Sequence, residues 1–410
     1  MNADSRQTAG RRAVGPTGER RLDFGVFFFA AVGDRAQETY RLMLDAARRA
    51  DELGLGFVST PERHFHRFGG AFPNPAVTSA AVAAVTSRIQ IRAGSVVTPL
   101  HPAVRVVEDF ATVDGISGGR VAISVGSGWN VNDFVIAPEK YENRREQMIK
   151  DVTDIRTAWR TGRWTGRNPL GSGTTLPVFP RPVQDDLSVW VTASRSAGTF
   201  REAGRLGCNI LTHLENQDVE SLSGKIALYR AARAEAGWEG PGTVTVMMHT
   251  YVADDAAEAR EVGGGSLRDY LLSAIDLEAH AVEAGGRMSG GKQGRDVLSA
   301  AHAQRKLAEL GVNRYLSGNS LIGSVEECAE TARRVHAAGV DEIACLVDFV
   351  ADPDLVLASL ERVATVRGEA AGSSEAAASS EAAGSSEAAG RHEAAGRDAT
   401  AVPVEPTRAA

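Results

Sequence analysis

The chain has 410 residues, 43% of them apolar, enough to bury one large core. Its 45 basic and 52 acidic side chains leave a net charge of −7, which argues against a broad cationic face for nucleic acid. No uncharged run approaches the roughly 18 residues of a membrane span, so no membrane partner is expected.

Residues 1–20 carry arginines but no apolar stretch, which predicts a disordered leader, not a secretion signal, and a cytoplasmic protein. A first strand is expected over Leu22–Phe29, then a helix from Ala36 to Leu53 behind Asp34, and a second strand over Gly56–Thr60. The loop PERHFHRFGGAFPNP follows, rich in charge, histidine and aromatics, unlike a plain solvated connector. Asn74-Pro75 opens a helix to Thr86; a strand over Ile89–Val97 and a helix over Ala103–Val113 come next. The fourth strand begins at Val121 and ends in glycines, VAISVGSGWN, before a helix over Glu142–Trp159.

Residues 161–187 read as an insertion of turns and short extended pieces. Further strands are expected at Ser188–Thr192, Cys208–Thr212, Thr243–Tyr251 and Asp341–Val347, with helices at Ala197–Leu206 and Val219–Ala236. A second insertion, about 254–320, opens with a helical pattern broken at the glycines 263–265, and 285–300 reads as a mobile loop. Ser324-Val-Glu-Glu starts another helix, which stops at Gly339, and Asp352-Pro353 opens the closing one. After Arg367, repeats such as GSSEAA offer no large apolar side chain, so 368–410 is expected to be a disordered tail. Cys208, Cys328 and Cys345 have no metal-ligand spacing and read as buried thiols.

Eight strands alternating with helices predict an α/β protein, a (β/α)8 barrel over residues 21–367, with its chemistry at the strand C-terminal ends. Those ends carry Glu62, Arg63, His64, His66, His101, Thr192, His213, His249 and Asp348. The spacing Glu62-x-His64-x-His66 lies in a loop without an i,i+4 pair, so no metal is expected. TASRSAGTF ends a strand in small hydroxyl residues at a helix start, where free N–H groups beside Ser194, Arg195 and Ser196 suit a phosphate; the alternative is that the serines only cap the helix. Neither GxGxxG after a first strand nor GxxxxGK[ST] occurs. A phosphate site in a barrel with an aromatic-lined centre suits a flat phosphorylated cofactor such as FMN.

With PERHFHRFGGAFPNP, VTSRIQIRAGSVV, HPAVRVVEDFATVDGISGGRVAISVGSGW, EKYENRRE and VWVTAS together, the chain resembles the bacterial-luciferase-like flavin-dependent monooxygenases over residues 22–366. It is most similar to the branch found in polyketide and nonribosomal-peptide biosynthesis. The resemblance implies a TIM barrel that holds reduced FMN and uses O2, through a C4a-peroxyflavin, to oxygenate an organic substrate. It implies a separate NAD(P)H-dependent flavin reductase as partner, and it allows an acyl or peptidyl carrier protein and a homodimer. On this chain it puts the phosphate at Ser194 and Arg195 with the backbone of Ser196 and Ala197, beside Thr192. The flavin ring would lie against Gly94, Ser95 and Thr98 and against Gly126, Ser127, Gly128 and Trp129, with a non-proline cis peptide at Gly94–Ser95.

The same resemblance brings His64 to the reacting edge, as catalyst or as a residue that holds the loop. Arg63 stands where the luciferases have a first histidine; it either bridges to Glu62 or Asp133, the preferred expectation, or faces flavin or substrate. Tyr141 is a polar donor or a packing residue, and Trp129 a pocket wall or a plug. Phe65, Phe68, Phe72 and Trp129 are expected to form an apolar rim. His101 and His213 read as structural or rim residues, and His249 can face the barrel or the helices. The rivals are a deazaflavin-dependent hydride-transfer enzyme of the same superfold and a non-catalytic flavin-binding accessory protein.

Overall fold

The computed structural model describes residues 21–29, 36–215, 217–285 and 301–371. Eight parallel strands close into a barrel: β1 Asp23–Phe27, β2 Phe57–Thr60, β3 Gln90–Val97, β4 Val121–Gly126, β7 Val189–Thr192, β8 Asn209–His213, β9 Val244–Val252 and β11 Glu342–Leu346. Each pairs with the next, and β11 returns to β1 in register Asp23 with Glu342. The connecting helices are α1 Ala36–Glu52, α2 Pro75–Val85, α3 Ala103–Ser117, α4 Arg144–Thr161, α5 Ala197–Arg205, α6 Val219–Glu235, α7 Ala256–Glu283, α8 Ala301–Arg314, α9 Val325–Ala337 and α10 over 353–371. The alternation read from the sequence is therefore a closed (β/α)8 barrel.

Local chemistry fixes several element ends. Asn74 Oδ1 accepts from the N–H groups of Ala76 (3.0 Å) and Val77 (3.2 Å), with Pro75 occupying the position that needs no donor. Ser324 and Glu327 form a reciprocal capping box at α9. Asp51, at the end of α1, accepts from the N–H groups of Ser87, Arg88 and Ile89 and so ties that helix to the start of β3.

The larger core lies between strands and helices; a smaller one fills the barrel with Phe27, Phe57, Ala122, Trp190, Leu211 and Ala344. The barrel also contains a buried ion pair. The Arg92 guanidinium lies 3.8 Å from the Phe57 ring centroid and 4.0 Å from that of Trp190, and donates to both oxygens of Glu342 at 2.6 and 3.0 Å. Gln90 and Thr245 satisfy further positions, so this pair meets the condition under which burial of two charges is tolerated.

The departures from expectation have physical reasons. The helical pattern is not broken at 263–265: α7 runs unbroken through all three glycines. A Cβ at Gly263 would sit 2.8 Å from Ile322 Cγ2 and 3.2 Å from Tyr251 Cδ1, so this glycine permits close helix–sheet approach. Ile322 belongs to β10, Leu321–Gly323, a three-residue strand on β9 that is too short to show a period. The first insertion contains an antiparallel hairpin, β5 Arg163–Arg167 with β6 Gly173–Pro177. The closing helix continues to residue 371 with Ala370 buried, past the expected boundary at 367. The expected leader, the loop at 286–300 and residues 372–410 lie outside the described residues. No described helix is long and apolar enough to cross a membrane.

Candidate active site at the barrel mouth

Strand periodicity decides which side chains reach the mouth. On β9, Thr245 bonds Glu342 inside the barrel and Met247 packs on the inner cluster, so His249, two residues further on, faces inward at the C-terminal end. The same alternation carries Trp190 to Thr192 on β7 and Leu211 to His213 on β8. On β3 the ladder shifts at Ser95, the Gly94–Ser95 peptide is cis, and Ser95 Oγ hydrogen-bonds Thr192 Oγ1 across the mouth. A Cβ at Gly94 would meet Ser59 Oγ at 2.2 Å and Phe27 Cε2 at 2.9 Å, so crowding inside the barrel by itself demands glycine there. At Gly126 a Cβ would meet, among the described residues, only Ser95 Cβ within 4 Å, at 3.7 Å, which leaves an open shelf.

Glu62 is the hub of one side. Its carboxylate Oε1 receives Nε2–H groups from both His64 (2.9 Å) and His101 (2.6 Å), while Oε2 receives the Val97 N–H at 2.7 Å. Burial alone would raise the Glu62 carboxyl, but the hydrogen bonds from His101 and His64 outweigh it and hold it below the usual carboxylate range. For His101, burial works against the charged ring, and the bond to Glu62 with its charge overcomes this and raises the pKa. The rim histidine thus belongs to the same cluster as the predicted catalyst, a contact across 39 residues of sequence.

The bridge expected for Arg63 is not formed. Among the described residues its guanidinium makes no ion pair; it lies 3.9 Å from the Phe29 ring centroid, because the oxygens of Glu62 are already taken. Burial pushes its pKa below the ordinary arginine value against the fields of Tyr270, Asp133 and Asp348. Burial also pushes the Asp133 carboxyl up to about 6, despite the charges of His64 and Arg63 beside it. Phe65, between these residues and His66, has φ +56 and is 65% exposed, an uncommon backbone state for a bulky residue. The apolar rim is smaller than expected: Phe72 is fully buried against Phe28 and Phe68 against Tyr270, leaving Phe65 and Trp129 exposed.

The loop after β4 is shaped by Gly128, whose φ of +74 and whose Cβ position, 2.8 Å from Phe134 and 2.9 Å from Val97, both exclude a side chain. Ser127 lies beside it, half-buried. Tyr141 packs edge-on to Phe134 at 5.1 Å and under the Arg144 guanidinium at 4.2 Å, the packing role held as an alternative. Arg144, which the sequence reading missed, donates to the carbonyls of Gly128 (3.1 Å) and Tyr141 (2.6 Å) and fixes the loop.

At the end of β7, the neighbour of β4, lies a corner suited to an anion. Ser196 is the N-cap of α5 and accepts from Thr199 N–H at 3.3 Å, so the capping reading holds for this serine. That cap does not use the first amides of the helix, at Ala197 and Gly198, and Thr192 and Arg195 are exposed beside them. Lys225, also missed from sequence, donates to Ser194 O (3.3 Å) and Gln217 Oε1 (2.7 Å), and burial lowers its pKa. Burial likewise lowers His213, with Arg195 and Lys225 adding to the effect. The donors, the open shelf at Gly126 and the hydroxyls of Ser95 and Thr192 fit a flat ligand with a phosphate.

Two other histidines are accounted for differently. His249 is caged by Tyr270, Tyr315 and Phe349, with burial lowering its pKa to about 3. His66 Nε2 lies 3.4 Å from Asp276 Oδ2, with His280 beside both. His66 Nδ1 accepts from Phe68 N–H, which leaves the proton on Nε2, the nitrogen that faces Asp276. The contact joins the β2 loop to α7.

A closed barrel with its polar groups gathered at the strand C-terminal mouth is an enzyme frame. The luciferase-like monooxygenase family profile matches residues 22–342, and the chain belongs to that family. A flavin-dependent trigonelline monooxygenase, oxygenase component, from Acinetobacter baylyi is 23% identical over 335 residues, covering 80% of this chain and 88% of its own. Monooxygenase RslO1 from Streptomyces bottropensis superposes with a TM-score of 0.67 at 22% identity, over 84% of this chain and 98% of its own. The oxygenating constituent of 3,6-diketocamphane monooxygenase from Pseudomonas putida, in complex with FMN, gives 0.66 at 17%, over 85% and 98%. An F420-dependent secondary alcohol dehydrogenase gives 0.62 at 15%, over 85% and 99%, so the fold is shared by enzymes with different flavins.

Proposed function

We propose that this enzyme is the oxygenase of a two-component system, which takes reduced FMN from a separate NAD(P)H-dependent reductase and inserts one atom of O2 into a small organic substrate. The observation that carries this reading is the pairing, around one mouth, of the anion corner at Ser194–Gly198 with the Glu62-held His64. Arg195, Lys225 and the Ala197 and Gly198 amides would hold the phosphate, with Ser194 and Ser196 shaping the corner. The ring would rest against Gly94–Thr98 and Gly126–Gly128, with Thr192 and Trp129 at its margins. Reduced FMN supplies the electrons that activate O2. Arg63, stacked on Phe29, offers a cation to a developing negative charge, Tyr141 supports the wall with Arg144, and His64 manages a proton at the reacting edge through Nδ1. Phe65 and Trp129, both exposed at the mouth, would shed water against a bound ring.

The similarity to the polyketide and nonribosomal-peptide branch supports a natural-product intermediate as substrate, free or tethered to a carrier protein. Anaerobic titration with reduced FMN, followed by 18O2 and mass spectrometry of candidate free and carrier-bound substrates, tests the proposal. One 18O per product is expected. Tight binding of a reduced deazaflavin with hydride transfer and no O2 uptake would instead establish the rival reading, which the same fold accommodates.

A further inference from the structure

We propose that His101, at the rim, is a positioning residue that keeps His64 in its neutral form, with the proton on Nε2, by engaging the one carboxylate oxygen the two rings share. The inference goes deeper than the proposed function and rests, in its catalytic part only, on His64 standing at the reacting edge.

The geometry is specific. Both Nε2 atoms bond Glu62 Oε1, at 2.9 Å for His64 and 2.6 Å for His101, so they are no more than 5.5 Å apart. An ionised carboxylate only accepts, so each ring must carry its proton on Nε2, and Nδ1 of each is the position that gains or loses one. Glu62 brings one negative charge, and its other oxygen is committed to Val97 N–H. One charge within this distance can favour one imidazolium strongly; a second beside it is opposed by the first.

The surroundings decide which ring wins. His101 makes the shorter bond, is about a third exposed to water, and lies in the fields of Asp109, which favours its cation, and Lys140, which opposes it. His64 is 13% exposed and faces Asp133, with the guanidinium of its neighbour Arg63 also in range. Arg63 opposes a second cation there, and Asp133, which burial pushes up to about 6, is only about half ionised at that pH and so favours one less than Glu62 does. The imidazolium therefore resides on His101. His64 stays neutral and presents the Nδ1 lone pair, an acceptor, to whatever binds at the mouth. A proton taken up at that nitrogen makes His64 an imidazolium beside Glu62, and its release restores the starting state.

The test uses the full chain without flavin. Histidine side-chain nitrogens are titrated by NMR, with His64 assigned by its loss in His64→Gln. At 5.5 Å, screening typical of protein sites makes a neighbouring charge worth about one to two pH units. His101→Gln keeps an N–H donor on Glu62 but no charge, so the His64 midpoint should rise by about that much, whereas His101→Lys should hold it at or below the parent value. Equal His64 midpoints in parent and His101→Gln would overturn the inference. In the loaded enzyme, the pH dependence of substrate oxygenation against H2O2 release should move upward by the same interval in His101→Gln. A shifted midpoint with an unmoved profile would leave the coupling intact and remove His64 from the chemistry, so the two failures are distinct.

Discussion

Replacing Glu62 by Gln tests the cluster as a stability element. The carboxylate accepts three hydrogen bonds, at 2.9, 2.6 and 2.7 Å, and its side chain is fully buried. Hydrogen bonds to a charged acceptor contribute about 1.5–3 kcal/mol each and neutral ones about 0.5–1.5, so loss of the charge should cost about 3 kcal/mol. The cost depends on pH in both directions. His101 is raised on folding, so its contribution is complete below the unfolded histidine value of about 6.5 and is lost as pH rises through the folded one. Glu62 is lowered, so its contribution is present above the unfolded value of about 4.3 and is lost as pH falls through the folded one. The difference between parent and variant should therefore be largest between about pH 4.3 and 6.5 and narrow on either side. Urea unfolding of both proteins at a series of pH values measures it. A difference that stays flat from pH 4 to 8, or widens towards acid, would refute the assignment of the charges.

Arg195→Ala should weaken FMN binding by more than tenfold, since a charge-assisted hydrogen bond contributes about 1.5–3 kcal/mol; flavin fluorescence titration checks this, and unchanged affinity would move the phosphate elsewhere. Gly94→Val should lower the thermal midpoint as well as flavin binding, because its Cβ would be 2.2 Å from Ser59 Oγ inside the barrel. A chain ended after residue 371 should unfold like the full chain, whereas one ended at Arg367 loses the packing of Ala370 and should be destabilised by up to about 1 kcal/mol in calorimetry.

The barrel was legible because its signals are local. Each β-branched run ended in Gly, Pro or a capping residue, and Asn74, Ser196 and Ser324 cap in the structure as their neighbours suggest. The errors came where tertiary contact overrode a local rule. Three glycines read as a break in α7, yet Gly263 is there because Ile322 and Tyr251 press on the helix from the sheet. Three-residue β10 has no period to detect and exists because Leu321 to Gly323 extend the edge of β9 beyond the barrel ladder. Arg92 and Glu342, 250 residues apart, looked like ordinary strand charges, and only closure of the barrel makes them a pair.

The site divides along the same line. Ser194 to Ala197 stood out as candidates because a helix N-terminus is written in contiguous sequence, and His64 because its loop is unusual in composition. Lys225, Arg144 and the role of His101 could not, since each is defined by a partner in another loop or strand: Ser194, Gly128 and Glu62 respectively. Arg63 shows the converse. Its neighbour in sequence is a carboxylate, which makes a salt bridge the natural expectation, but Glu62 spends both oxygens on His64, His101 and Val97. The guanidinium is displaced onto Phe29, where it keeps its charge without an ionic partner among the described residues. An arginine in that position costs stability, because part of its hydration is lost and no ion pair among the described residues replaces it. The hub that anchors the histidines is thus also what keeps the Arg63 guanidinium off its neighbouring carboxylate and on the Phe29 ring.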